Sequence, residues 1–258
     1  MKKWLVGVIH LPPLPGAPRS SLSLREIVKS ALGDLEALVA SGFDGVIVEN
    51  FGDAPFFRDE VPKITLASMS IVAAALRERA PTFSLGINVL RNDAASALAV
   101  AAAAGANFIR VNVHTGARVT DQGIVEGRAF ETARLRKELV PGLKIWADID
   151  VKHSSPLAPR SLEEEAEETV GRGLADVLLV TGSGTGKGAN MDDVSRVKRV
   201  EPNTRVLVAS GATLANLSQV LGVSDGVIVG SALRKDGKAG GSIDPSACAA
   251  YAKAFALA

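Results

Sequence analysis

One six-residue run concentrates the polar chemistry of this chain: Asp148-Ile-Asp150-Val-Lys152-His153. Its carboxylates, amine and imidazole could move protons at a bound metabolite or contact phosphate, and the amine could form a Schiff base. Arg110, Asn112 and His114 also alternate with apolar residues, while His10, Glu49, Asn50, Asn88 and Arg91 each end or follow a short apolar run. Side chains alternate between the two faces of a β-strand, so Arg110, Asn112 and His114 are expected on one face, and Asp148, Asp150 and Lys152 on one face of another strand. Glu49, His114, Asp148, Asp150 and Lys152 are the expected acid, base or nucleophilic groups. His10, Asn50, Asn88, Arg91, Asn112 and His153 are the expected substrate contacts. Arg110 and Asp148 should pair deep in the site, or simply plug the core, with Asp150, Lys152 and His114 nearer the substrate.

Two further segments suit an anion. Ser210-Gly211-Ala212-Thr213 and Gly230-Ser231-Ala232-Leu233 are small enough to leave backbone amides bare, and a helix starting after each would add partial positive charge. Thr181, Ser183 and Gly184, in the glycine-rich stretch Thr181–Asn190, are expected to add amides or hydroxyls for phosphate, with Lys187 as a further contact and the stretch as a mobile lid. That stretch is no Walker A motif, because Thr181 stands where its first glycine belongs and Gly188 where its Ser or Thr belongs. Glu49, Asp148, Asp150 and His114 could hold a divalent ion, but no spacing is diagnostic of one, and no other cofactor is expected.

These groups need a scaffold that brings strand ends together. Apolar runs at Trp4–Ile9, Asp44–Val48, Phe83–Val89, Asn107–Val113, Lys144–Ile149, Asp176–Thr181, Arg205–Ala209 and Asp225–Val229 alternate with stretches of helical spacing. Most are continuous, as strands covered on both faces should be. Ser23-Leu-Arg-Glu26 and Ser161-Leu-Glu-Glu164 read as capping boxes, and Gly42, Gly105 and Gly173 as helix ends just before strands. Eight such units in 258 residues predict an α/β fold, a single (β/α)8 TIM barrel over residues 1–258, with a doubly wound sheet as the alternative. The barrel's working face lies at the C-terminal strand ends, where all the candidates above fall.

Composition narrows the partners. With 29 basic and 28 acidic residues and only 4% aromatics, the chain lacks the basic, ring-studded surface of a nucleic-acid polymer binder. No apolar run reaches the roughly 18 residues of a membrane span, and the lysine-bearing start is too short for a signal peptide. One cysteine, Cys248, cannot form an internal disulfide, which suits a cytoplasmic protein. The expected partner is a small phosphorylated metabolite, and a homo-oligomer is left open.

Gly7-Val-Ile-His-Leu-Pro-Pro-Leu-Pro-Gly16, Asp44-Gly-Val-Ile-Val-Glu-Asn-Phe-Gly-Asp-Ala-Pro-Phe56, Gly86-Ile-Asn-Val-Leu-Arg-Asn-Asp93, Ile109-Arg-Val-Asn-Val-His-Thr-Gly116, Asp121-Gln-Gly-Ile-Val-Glu126 and Ala147-Asp-Ile-Asp-Val-Lys-His153 resemble segments of the BtpA family. The likeness runs on through Thr181–Gly186 and the last strand, nearly the whole chain. It implies a TIM barrel and a family named for photosystem I biogenesis. Members outside photosynthetic organisms imply an older metabolic activity, but the resemblance brings no catalytic residues with it. Two functions are therefore in view. One is an enzyme working by acid/base chemistry on a phosphorylated sugar or nucleotide-like metabolite, with cleavage of a sugar–base bond favoured; the other is a non-catalytic photosystem I assembly factor. A polar barrel mouth favours the enzyme.

Overall fold

The computed structural model describes residues 2–182 and 188–258. Strands β1 (Trp4–His10), β2 (Gly45–Glu49), β3 (Ser84–Asn88) and β4 (Phe108–Val111) alternate with helices α1 (Leu24–Ala40), α2 (Lys63–Arg79) and α3 (Ala94–Ala104). A hairpin of β5 (Ala117–Thr120) and β6 (Gly123–Glu126) then precedes α4 (Ala129–Leu139). Next come β7 (Lys144–Ile149), the two-residue β8 (Ser155–Pro156), α5 (Leu162–Gly171), β9 (Val177–Val180) and α6 (Met191–Val200). The chain ends with β10 (Arg205–Val208), α7 (Leu217–Val223), β11 (Gly226–Val229) and α8 (Pro245–Leu257).

The order β1-β11-β10-β9-β7-β4-β3-β2 closes into a parallel barrel, and β6-β5-β8 forms a small antiparallel sheet beside it. All eight expected strands are therefore the barrel staves, and the doubly wound alternative falls away. Both capping boxes form: each serine accepts a bond from the backbone N–H three residues on, while the glutamate there accepts from the serine's N–H. Gly105 ends α3 in the left-handed region at φ +65°, where a side chain would be strained.

Apolar residues divide between two places. The larger core lies between sheet and helices, and the barrel lumen holds Val6, Val8, Ile47, Phe108, Trp146, Val177, Leu179, Leu207, Ala209 and Ile228. The Phe108 and Trp146 rings stack there at 3.7 Å between centroids. Gly86 makes room for them, because a Cβ on it would lie 2.2 Å from the Phe108 ring. The aromatics thus fill the lower lumen, and truncating Phe108 to alanine would cost roughly 3–5 kcal/mol. Above this plug the inward positions turn polar, and the site begins.

Candidate active site

His10, Glu49 and Asn88 are direct partners in the β1–β2–β3 register, so three polar side chains share one rung at the mouth. Glu49 Oε1 accepts bonds from Asn88 Nδ2 and Arg110 Nη1, both at 3.0 Å. Arg110 Nε and Nη2 donate to the two oxygens of Asp148 at 2.9 and 3.0 Å, and Asn112 Nδ2 donates to Asp148 Oδ2 at 2.8 Å. The ion pair expected from β4 and β7 is present, and it extends to Glu49. Burial is the largest single influence on the Glu49 carboxyl and would raise it, but the Arg110 guanidinium, His10, the Asn88 hydrogen bond and Lys152 together outweigh burial and hold the group below the usual range. Burial disfavours the Arg110 charge, yet Asp148 and Glu49 push its pKa above the ordinary value.

His10 Nε2 stands 3.8 Å from Glu49 Oε2. Burial first, opposed by Glu49, lowers the imidazole to about 3, so the contact is not an ion pair. Nδ1 accepts the Gly240 N–H at 3.1 Å, which places the ring proton on Nε2, toward the carboxylate. The ring packs on Phe51 with centroids 4.4 Å apart.

His10, Glu49, Phe51, Asn88, Arg110 and Asn112 line one cavity of about 410 Å3, together with Arg91, Asp121, Lys152, His153, Phe56 and the two small-residue turns after β10 and β11. That volume lies within the roughly 300–1,000 Å3 of small-molecule sites. Ser210, Gly211, Gly230 and Ser231 all face it. Beneath them the buried Arg234 donates to the carbonyl oxygens of Gly230 and Val8. It brings positive charge below the turn and occupies an acceptor that would repel an anion. The expected helix support is shorter than supposed: a three-residue turn, Ser231–Leu233, follows β11, and α7 begins only at Leu217.

Lys152 enters the cavity on a backbone held from both sides. Its N–H donates to Thr181 Oγ1 at 3.2 Å, and its carbonyl accepts from Arg91 Nη2 at 2.9 Å. Burial, followed by the Arg110 charge, lowers the amine's pKa against the opposing pull of Glu49 and Asp148.

Several expected site residues lie elsewhere. β4 ends at Val111, alternation stops, and His114 turns out of the lumen, 1% exposed, with Nε2 bonded to the Gly173 carbonyl at 2.8 Å. β7 ends at Ile149, and Asp150 takes a left-handed backbone at φ +46°. Its side chain is 64% exposed and pairs with Arg118 at 2.6 Å, outside the cavity. Asn50 is spent on structure: Oδ1 accepts the Leu90 N–H at 2.7 Å, and Nδ2 donates to Asp53 Oδ2 at 3.2 Å. Thr181 binds the backbone of Asp150 and Lys152 instead of lining the cavity. Asp148 is closed off behind Arg110, with no exposed side-chain surface. The supposed metal set Glu49, Asp148, Asp150 and His114 is therefore scattered, and no group of three or more candidate ligands gathers among the described residues. Ser183, Gly184 and Lys187, in the middle of the expected lid, lie outside the described residues.

Asp121, Phe51 and Phe56 were missed. Asp121 sits in the turn of the β5–β6 hairpin and reaches the cavity from above. The sequence signal is the pair of alternating runs around Asp121-Gln122.

A model of the BtpA family matches residues 1–256. The Synechocystis protein named Photosystem I biogenesis protein BtpA is 41% identical, over 98% of this chain and 88% of its own length. An uncharacterized Methanocaldococcus jannaschii protein is 43% identical over 94% of this chain and 91% of its own. Among solved structures, phosphoribosyl anthranilate isomerase from Thermus thermophilus superposes with a TM-score of 0.60 at 15% identity, covering 100% of this chain and 99% of that one. At that identity the likeness is one of fold.

Proposed function

The chain belongs to the BtpA family, and from the site it carries we propose that it is an enzyme working by acid and base chemistry on a phosphorylated sugar or nucleotide-like metabolite. One observation carries this reading: a single cavity joins the Ser210-Gly211 and Gly230-Ser231 turns to Glu49, His10 and Lys152. The turns and the charge of Arg234 suit a phosphate. Glu49, kept below the usual carboxylate range with help from Arg110, suits stabilisation of developing positive charge at a sugar carbon, while Lys152, whose amine burial pushes below its ordinary value, suits proton transfer. Phe51 and Phe56 add a flat apolar wall, the kind of surface a base would cover. Cleavage of the C–N bond between sugar and base is the reaction we favour.

The name of the Synechocystis relative supports a second reading, a non-catalytic factor in photosystem I biogenesis. A relative of similar identity in an archaeon supports an activity that does not depend on that assembly, and a scaffold has no use for buried charge around an open cavity. The buried, unbridged Cys248 is in keeping with a reducing compartment, and we place the activity in the cytoplasm. A thermal-shift screen of sugar phosphates, nucleosides and nucleotides, with product analysis of the hits, tests the enzyme reading. Stabilisation by phosphorylated sugars supports it; stabilisation by none overturns it.

A further inference from the structure

The geometry points to Lys152 as a nucleophile: we propose that its Nζ forms an imine with the anomeric or carbonyl carbon of a phosphorylated sugar anchored at the Ser210 and Gly230 turns. This rests on the phosphate reading above. It goes further in naming a covalent intermediate and the open-chain aldehyde as its product.

Among the described residues the amine is committed to nothing else. Lys152 Nζ has no hydrogen-bond partner among the described residues, although the backbone on both sides of it is fixed by Thr181 and Arg91. The carboxylates that would keep an ammonium charged are taken: Asp148 by Arg110 and Asn112, Glu49 by Arg110 and Asn88. Both Arg110 and Arg91 line the same cavity and disfavour a third cation beside them. A lysine kept as a structural ion would be paired; this one, half-buried on the cavity wall with two guanidiniums lining the same cavity, has its amine pushed toward the neutral form that attacks carbonyl carbon. The approach to the loop is braced as well. Arg118 donates to Ser154 Oγ and Asp150 Oδ1, both at 2.6 Å, and so fixes the segment on either side of Lys152.

The step balances with the amine's own two protons. Nζ bonds to the anomeric carbon, the C–N bond to the base breaks, and the base leaves with the first proton. The nitrogen lone pair then opens the ring by breaking the bond from the anomeric carbon to the ring oxygen, which takes the second proton. An imine remains, and water hydrolyses it to the aldehyde and the free amine. Starting from the open-chain aldehyde, the same imine forms with loss of water.

The test uses the full chain with ribose 5-phosphate and borohydride, read by intact mass and peptide mapping. One reduced adduct per chain, mapped to Lys152, is expected. It should form at least about tenfold faster than with unphosphorylated ribose, as expected for a bound rather than a colliding aldehyde, and be competed by inorganic phosphate. Lys152→Arg and Lys152→Met should abolish it while still being thermally stabilised by ribose 5-phosphate. Saturable binding of ribose 5-phosphate without a Lys152 adduct overturns the imine and leaves the phosphate reading standing. Adducts spread over other lysines at equal rates for both sugars overturn the imine too. Absence of both adduct and binding overturns both.

Discussion

Arg110 and Asp148 meet through two parallel hydrogen bonds, Nε to Oδ1 at 2.9 Å and Nη2 to Oδ2 at 3.0 Å, with the Asp148 side chain wholly shielded from solvent. The same guanidinium serves Glu49 through Nη1. One cation thus answers two buried carboxylates, and the trio carries a net negative charge at the mouth. Lys152 lines the same cavity, where burial and the Arg110 charge push its amine down while Glu49 and Asp148 pull it up. That arrangement lets the site hold a desolvated amine and a desolvated acid together.

Removing Arg110 should be worse than removing either acid. Arg110→Met leaves Glu49 and Asp148 buried without their cation and is expected to cost about 3–5 kcal/mol. Asp148→Asn keeps the guanidinium opposite Glu49 and should cost distinctly less. Denaturant unfolding of both variants measures the difference; equal losses would show that Glu49 gains nothing from Arg110.

Acid should unfold the protein in a window set by its buried histidines. Burial lowers His10 to about 3, and burial also lowers His114. His10 stays neutral in the folded state down to about 3, and His114 resists protonation below its ordinary value, while the unfolded chain takes up protons below about 6.5. The unfolded state therefore binds more protons, and stability is lost as pH falls from about 6.5 toward 3. For His10 the loss is at most about 5 kcal/mol. His10→Asn, whose Oδ1 can accept the Gly240 N–H in place of Nδ1, should flatten that slope in urea melts at stepped pH. An unchanged slope would mean that His10 titrates normally.

All eight strands were legible in the sequence because each is buried on both faces and reads as an unbroken apolar run. The capping boxes were legible because their chemistry is local. Alternation misled at two strand ends. Arg110 and Asn112 do point inward as expected, but Val111 is the last residue of β4, and period two says nothing about His114 beyond it. Asp150 fails for the same reason after Ile149, where the backbone turns left-handed and Arg118 draws the carboxylate outward. Arg118 belongs to the hairpin, an insertion between β4 and α4 that the eight-unit pattern absorbed unseen. Asp121 was missed with it.

His114 should prove dispensable for ligand binding. His114→Gln can keep a donor to the Gly173 carbonyl, so a stability loss of about 1–2 kcal/mol is expected from the disturbed packing. Affinity for ribose 5-phosphate should stay that of the parent. A large loss of affinity at unchanged stability would return His114 to the site.

A carboxylate placed in the cradle should act in the opposite way. Ser231→Asp sets a negative charge on a half-buried turn residue that lines the cavity. It should lower affinity for inorganic phosphate and ribose 5-phosphate alike by about tenfold or more, the effect of roughly 1.4 kcal/mol, with little change in melting temperature. Phosphate affinity that does not respond to this charge would place the anion elsewhere.

Calorimetric titration of ribose 5-phosphate into the unmodified protein tests the central claim most directly. The account predicts saturable binding at one site per chain, competed by inorganic phosphate and much weaker for ribose. No detectable binding of ribose 5-phosphate, or equal binding of ribose with and without its phosphate, would contradict it.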